Sequence, residues 1–147
     1  MKLYQRVEKL SQWLKYQATY LEMKYHFKQV LKGKENKYVK NVCKYDRCIG
    51  KSVALARLSA KYKIPIIVYS HTWKKEIEID IPKRLPKYFK KNKPIAFSQN
   101  DLQLKSHRFD VILIEERIIE DRTCDIADDV SYGKYVGYKN IDWIDIN

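Results

Sequence analysis

The chain has 147 residues, which is enough for one domain with its own hydrophobic core and too few for two domains of ordinary size. Apolar residues make up 45% of it, with only four glycines and four prolines, a composition that excludes a largely disordered protein. The net charge is +12, and no apolar run is long enough to cross a bilayer, which predicts a soluble protein of the cytoplasm without membrane contact.

Basic residues are concentrated in the first three quarters of the chain. Residues 1–110 contain 26 Lys and Arg against 9 Asp and Glu, a net charge of +17, whereas residues 111–147 contain 4 against 9, a net charge of −5. A region with this positive charge is suited to contact nucleic acid. A lysine-rich surface that only faces water would have the same composition, so the charge leaves both interpretations open.

The first thirty positions carry apolar residues at alternating spacings of four and three: Leu3, Val7, Leu10, Leu14 and Leu21. This pattern predicts an amphipathic helix over residues 1–33 that ends near Lys32, because Gly33 is a typical helix stop. The stripe could pair with a helix of a partner protein or of a second copy of the chain, as in a coiled coil. It could also cover the core of its own domain, and the polar Gln17 within the stripe favours this second use.

Beyond the N-terminal helix, apolar runs typical of strands alternate with one apolar helix. The pattern predicts strands over residues 38–45, 64–69, 94–98 and 109–114, and a helix over residues 52–62. Two of the strands are almost continuously apolar, as strands buried on both faces of a parallel sheet are. We therefore predict an α/β fold of three layers with a small, mainly parallel sheet.

We interpret residues 1–147 as a single domain. After the N-terminal helix, residues 38–116 form its core. Residues 117–147 are acidic and aromatic, and we predict that they form short strands or a hairpin at an edge of the sheet.

A basic segment over residues 73–93 interrupts the alternation of strands and helix. It contains Pro82 and Pro86, which predict a short helix or irregular surface structure. Within it, residues 83–91 interleave basic with apolar and aromatic residues, a composition also found in proteins that bind single-stranded nucleic acid. Three of these residues are expected to pack inward and leave the lysines available for phosphates: Leu85, Tyr88 and Phe89.

A phosphate-binding loop is indicated directly after the first predicted strand. Residues 45–52 read Tyr-Asp-Arg-Cys-Ile-Gly-Lys-Ser and match the second half of the motif G-x-x-x-x-G-K-[ST], with Tyr45 in place of the first glycine. The match lies between a predicted strand and a predicted helix, which is the structural context that this motif requires. The sequence therefore predicts a fold of the P-loop NTPase type.

Each matched residue has a chemical reason to be there. Gly50 lets the backbone approach phosphates, and the backbone amides of Cys48 and Ile49 add hydrogen-bond donors at the start of the helix. Lys51 would pair with the β- and γ-phosphates, and the hydroxyl of Ser52 would bind Mg²⁺. The predicted cofactors are therefore ATP and Mg²⁺.

Two glutamates close the apolar run that ends at Ile114. An acid in this position of a P-loop protein holds Mg²⁺, and the next glutamate polarises the attacking water. We assign the metal contact to Glu115 and the general base to Glu116. Glu115 stands where aspartate is usual, and its extra methylene moves the carboxylate by about one bond length. Two glutamates that only solvate a strand end would give the same sequence.

The loop resembles the deviant Walker A motif of the ATPase domain of bacteriophage terminase large subunits. In that family an arginine precedes G-K-[ST] by three residues and the first glycine is often missing, as with Arg47 and Tyr45 here. The resemblance covers about residues 38–116. It implies that Arg47 reaches the nucleotide phosphates and takes part in catalysis with Lys51, and that Glu115 and Glu116 are the Walker B pair.

Two functions follow as hypotheses. The first is an ATP-binding P-loop protein of viral or mobile-element type, in the host cytoplasm if viral, that hydrolyses ATP slowly and acts with nucleic acid or a larger assembly. The second is a binder or inhibitor without catalysis, which uses its basic surface to engage nucleic acid or a host defence protein. The missing first glycine and Glu115 in place of aspartate motivate the second hypothesis.

Overall fold

The computed structural model describes residues 2–43, 50–99, 109–115 and 134–140. Within these residues the strands are β1 (Lys37–Val42), β2 (Ile66–Val68), β3 (Ala96–Ser98), β4 (Ile112–Ile114) and β5 (Tyr135–Asn140). The helices are α1 (Leu3–Leu31), α2 (Lys51–Tyr62), α3 (His71–Lys75) and α4 (Ile81–Arg84). A π-helical turn (Glu76–Asp80) joins α3 to α4, and a 3₁₀ turn (Pro86–Tyr88) follows. In this part of the chain no helix is long and apolar enough to span a membrane.

The strands form one sheet in the order β1-β5-β4-β2-β3, and every neighbouring pair is parallel. The predicted α/β class with a parallel sheet is therefore confirmed. The prediction for the C-terminal segment is wrong for residues 135–140, which form an interior strand between β1 and β4 and do not cap an edge. The physical reason is burial: Tyr135, Val136 and Tyr138 are almost fully buried, as a strand in the middle of a parallel sheet requires.

Buried side chains lie on both faces of the sheet. One face carries a large apolar cluster that includes residues of α1, α2 and the segment from the π-helical turn to Phe89. Its strand residues are Val42, Ile66, Val68, Ala96, Leu113, Val136 and Tyr138. The alternate residues form a second, smaller cluster on the other face: Ile67, Phe97, Ile112, Ile114 and Tyr135. A sheet buried on both faces is compatible with the predicted three layers.

The expectation that the leucine stripe of α1 covers the core is wrong. Leu3, Val7, Leu10, Leu14 and Leu21 are each between 53% and 75% exposed. A second stripe faces the core instead, made of Tyr20, Met23, Phe27 and Val30, each at most 6% exposed. Both stripes have spacings of three and four, and they lie about 150° apart around the helix. The second stripe contains the larger aromatic and sulfur-containing side chains, which bury more apolar surface when they pack.

This difference between the two stripes can be measured by alanine substitution. We expect Met23→Ala to lower the free energy of unfolding by about 3 kcal/mol, because Met23 is 1% exposed and its removal leaves a cavity. Leu14→Ala should change it by less than about 0.5 kcal/mol, since a substitution on an exposed helix face removes few contacts. Urea unfolding followed by circular dichroism compares the two, and a larger loss for Leu14→Ala would contradict the observed orientation of α1.

The basic segment folds largely as predicted, into short helical pieces, and the three residues expected to pack inward do so. Phe89 is buried, and Leu85 and Tyr88 pack half-buried against the main cluster. The side chain of Glu78 accepts a hydrogen bond from the backbone N–H of Ala96 at 3.0 Å, which ties the segment to β3. The lysines of the segment from Lys75 onward are exposed, whereas Lys74 is half-buried.

Candidate nucleotide site at the carboxyl edge of the sheet

The carboxyl ends of all five strands lie at one edge of the sheet, because every pairing is parallel. Open α/β sheets bind ligands at this edge. Cys43 follows β1 there, and Glu115 follows β4. One strand, β5, separates β1 from β4, so their axes are about 10 Å apart. The two strand ends therefore lie on either side of the carboxyl end of β5.

The helix α2 begins at the residues of the loop motif. Gly50 is its N-cap with φ of 87°, and the carbonyl oxygen of Gly50 accepts the first helical hydrogen bond from the N–H of Ala54 at 2.8 Å. Lys51 and Ser52 occupy the first turn and are half-buried, and that turn holds no acidic residue. The positive end of the helix dipole makes such a helix start favourable for an anion.

Gly50 has a structural reason to be glycine besides the approach of phosphate. Its φ is positive, a conformation that residues with a Cβ rarely adopt. A Cβ on Gly50 would also lie 2.6 Å from Cδ1 of Tyr16, because the ring of Tyr16 packs against this position. The side on which a side chain would project therefore faces α1, and the contact holds the start of α2 against the N-terminal helix.

Glu115 is the acidic residue that the structure brings to this edge. Its backbone N–H donates to the carbonyl oxygen of Ile67 at 3.1 Å, and the residue is only 4% exposed. A carboxylate this deeply buried is costly unless charged or polar groups compensate it. Its position at the end of β4 is the one that the sequence predicted for the metal contact.

The donor set of Ser52 and Glu115 fits Mg²⁺, which prefers hard oxygen ligands and commonly takes one or two from protein. Among the residues that the structure describes, no three His, Cys, Asp or Glu side chains come together to hold a metal ion. Phosphate and water oxygens would supply the other ligands, as is usual for Mg²⁺ in nucleotide sites.

Several predicted site residues lie outside the described residues. These are Tyr45, Arg47, Cys48 and Ile49 of the loop, and Glu116 of the acidic pair. Their roles stay predictions from the sequence. The structure thus describes three of the matched loop residues and one of the two acids.

A second group of polar residues was not anticipated from the sequence. Arg57, on α2, is half-buried, and its guanidinium carbon lies 3.6 Å from the ring centroid of Tyr20 and 4.2 Å from that of Tyr88. Its Nη1 donates to Oε1 of Gln17 at 3.3 Å, and Nε2 of Gln17 donates to the hydroxyl of Tyr88 at 2.9 Å. Burial lowers the pKa of Arg57, although an arginine keeps its charge at any physiological pH.

The sequence gives one sign of this group: Arg57 is a charged residue within an otherwise largely apolar stretch of a predicted helix. Residues 53–60 are all buried apart from Arg57. Its partners come from α1 and from the 3₁₀ turn, more than thirty positions away on either side, so local patterns do not predict them.

We compared the chain with models of protein families, with curated proteins and with solved structures. None of the three comparisons found a match. The resemblance to terminase ATPase domains therefore rests on the residues of the loop and of the acidic pair alone.

Proposed function

We propose that the protein binds ATP with Mg²⁺ at the carboxyl edge of its sheet, as a P-loop protein of viral or mobile-element type. The observation that carries the proposal is the joint position of two features at that edge. Gly50, Lys51 and Ser52 open a helix that follows β1, and the buried Glu115 ends β4. Both features are those that the nucleotide-binding motif requires.

The proposed roles follow the chemistry of each side chain. Lys51 neutralises the β- and γ-phosphates, and the hydroxyl of Ser52 with the carboxylate of Glu115 holds Mg²⁺. Arg47 contributes a second positive charge at the phosphates, as the terminase resemblance implies. Glu116 is the proposed general base for a slow hydrolysis of ATP. The amides of Cys48 and Ile49 are proposed to complete the phosphate turn.

Substitution of Glu115 tests the proposed metal contact. Glu115→Gln keeps the size of the side chain and removes its charge, so we expect ATP binding without Mg²⁺ to be kept. Mg²⁺ should raise the affinity of the variant for ATP about tenfold less than it raises that of the wild type, because one charged contact to the metal is lost. Titration calorimetry with ATP, with and without Mg²⁺, measures both quantities.

The matched control is Glu8→Gln, which removes the same charge from an exposed position on α1. Thermal melts of both variants check that they remain folded. An unchanged Mg²⁺ effect in Glu115→Gln would remove Glu115 from the metal site. Absence of ATP binding by the wild-type protein in both conditions would refute the proposed function.

We also propose that the protein acts with nucleic acid or within a larger assembly. The positive charge of residues 1–110 supports a nucleic-acid partner. The exposed leucine stripe of α1 supports a helix-to-helix contact with a partner protein or with a second copy of the chain.

A second candidate is a binder without catalysis that has kept the P-loop scaffold. The packing of Tyr16 on Gly50 favours it, because this contact explains the glycine without any ligand. In that case binding to nucleic acid or to a host protein should survive Lys51→Ala and Glu116→Gln. It should fall when lysines between Lys83 and Lys93 are neutralised, and loss of binding in the first two variants would exclude this candidate.

A further inference from the structure

A cationic pocket of about 450 Å³ lies between α1, α2, the 3₁₀ turn and the residues that follow it. Its positively charged lining is Arg57, Lys61, Lys87, Lys90 and Lys91. No carboxylate belongs to the described lining, so five positive charges converge without a negative one among them. We call this site the Arg57 pocket.

Arg57 is held in place before any ligand arrives. Two tyrosine rings contact its guanidinium group, and Gln17 accepts one of its five N–H groups. No carboxylate within hydrogen-bond reach accepts the others in the part of the chain that the structure describes. A rigid, half-buried arginine with donors to spare is well suited to a phosphate group, which it can bind through two parallel hydrogen bonds.

The lysines beside Arg57 repel one another. The close approach of the Lys61 side chain, partial burial and the positive charges of Lys61, Lys28 and Arg57 lower the pKa of Lys24 to about 8. Lys24 thus lies beside Lys61, which lines the pocket. A multiply charged anion between them would remove this repulsion and restore an ordinary pKa.

The positive surface extends beyond the pocket on both sides. Lys28 continues it along α1, and the exposed Lys83 and Lys93 line a neighbouring hollow that shares Lys90 with the pocket. This charge exceeds what a single phosphate group neutralises, which favours a ligand with phosphates at regular intervals. A flexible nucleic-acid strand can place one phosphate against the recessed Arg57 while the adjacent phosphates contact the exposed lysines.

We propose that the Arg57 pocket binds consecutive phosphates of a single nucleic-acid strand, at a site separate from the phosphate loop. Arg57 follows Lys51 by six residues on α2, which places the two about 9 Å apart along the helix. The assignment rests on the nucleic-acid partner proposed above and does not require that the loop binds ATP.

The test measures binding of a fluorescent 20-residue oligothymidylate by anisotropy at several salt concentrations. The pocket variant Lys87→Gln/Lys90→Gln/Lys91→Gln removes three exposed charges and should fold normally. We expect this variant to bind the oligonucleotide about 30-fold more weakly than the wild type at 0.1 M salt. The slope of log K against log salt should be less steep by about 2. Arg57→Lys keeps the charge but loses the guanidinium group that can bind phosphate through two parallel hydrogen bonds. This variant should bind the oligonucleotide about tenfold more weakly than the wild type.

The matched control is Lys2→Gln/Lys9→Gln/Lys34→Gln, which removes the same charge from exposed positions far from Tyr20 along α1. It should bind within about threefold of the wild type with an unchanged salt slope. Equal losses in the two triple variants would mean diffuse attraction by net charge and would overturn the proposal. So would equal affinity of the wild type for a 20-base-pair duplex, or no binding to either oligonucleotide.

Two cross-tests separate this proposal from the proposed ATP site. Lys51→Ala should leave oligonucleotide binding unchanged, and the pocket variant should leave ATP binding unchanged. Loss of oligonucleotide binding in Lys51→Ala would mean that the oligonucleotide binds at the phosphate loop, and it would overturn the pocket assignment. Loss of ATP binding in the pocket variant alone would make the pocket a nucleotide site and overturn both proposals.

Discussion

Replacing Lys51 by alanine is expected to weaken ATP binding at least about 100-fold. Lys51 lies in the first turn of α2, where its ammonium group would meet the β- and γ-phosphates in the proposed complex. Loss of a charge-assisted contact to two phosphate groups costs about 3 kcal/mol, which corresponds to roughly two orders of magnitude in Kd. Titration calorimetry at fixed Mg²⁺ measures the change directly.

Lys9→Ala is the matched control for this prediction. Lys9 is an exposed lysine on α1, and its removal changes the net charge by the same amount as Lys51→Ala. Its Kd for ATP should stay within about twofold of the wild type, because a distant surface charge is screened by salt. Similar losses in both variants would show that ATP is attracted by net charge and does not occupy the loop.

Among the single substitutions proposed for this protein, Gly137→Ala is expected to lower the free energy of unfolding the most. Gly137 is buried in β5, opposite Ile114 of β4 on one side and Val39 of β1 on the other. A Cβ there would overlap the backbone oxygen of Ile114 and lie 2.8 Å from its carbonyl carbon. Backbone atoms cannot move away without breaking the pairing of β4 with β5. We expect a loss of at least about 4 kcal/mol, the range of the most damaging single substitutions.

The control for Gly137→Ala is Gly33→Ala, after the end of α1. A Cβ on Gly33 would meet nothing within 4 Å, so only the positive φ of 77° opposes it, at a cost of about 1 kcal/mol. Thermal unfolding should show a fall in Tm of roughly 15 °C for Gly137→Ala and a few degrees for Gly33→Ala. Equal effects would mean that β4 and β5 are not paired at this position.

Strong local patterns predicted several elements close to their observed bounds. Continuous apolar runs predicted strands over 64–69 and 109–114, where β2 and β4 are found, and the Ala- and Leu-rich stretch predicted α2. Such runs need burial on both faces, and a parallel sheet supplies it. The helix start at Gly50 and the strand end at Glu115 could be predicted for the same reason, since both are local features.

The wrong predictions concern which surfaces meet. The two stripes of α1 have the same spacing, so periodicity alone does not select the one that faces the sheet. The strand β5 contains Gly137 and Lys139 within six residues, which weakens the apolar signal that marks an interior strand. Its place between β1 and β4 depends on how the other strands are arranged, a property of the whole sheet.

The loop motif, the strand that precedes Glu115 and the excess of positive charge are properties of the sequence, because each depends on neighbouring residues or on composition. The tertiary structure decided three further features. It turned the leucine stripe of α1 outward, packed Tyr16 against Gly50, and gathered Gln17, Tyr20, Arg57 and Tyr88 into one cluster. These contacts join residues that are far apart in the chain, and they form only because burying the apolar surface of several elements at once selects a single arrangement.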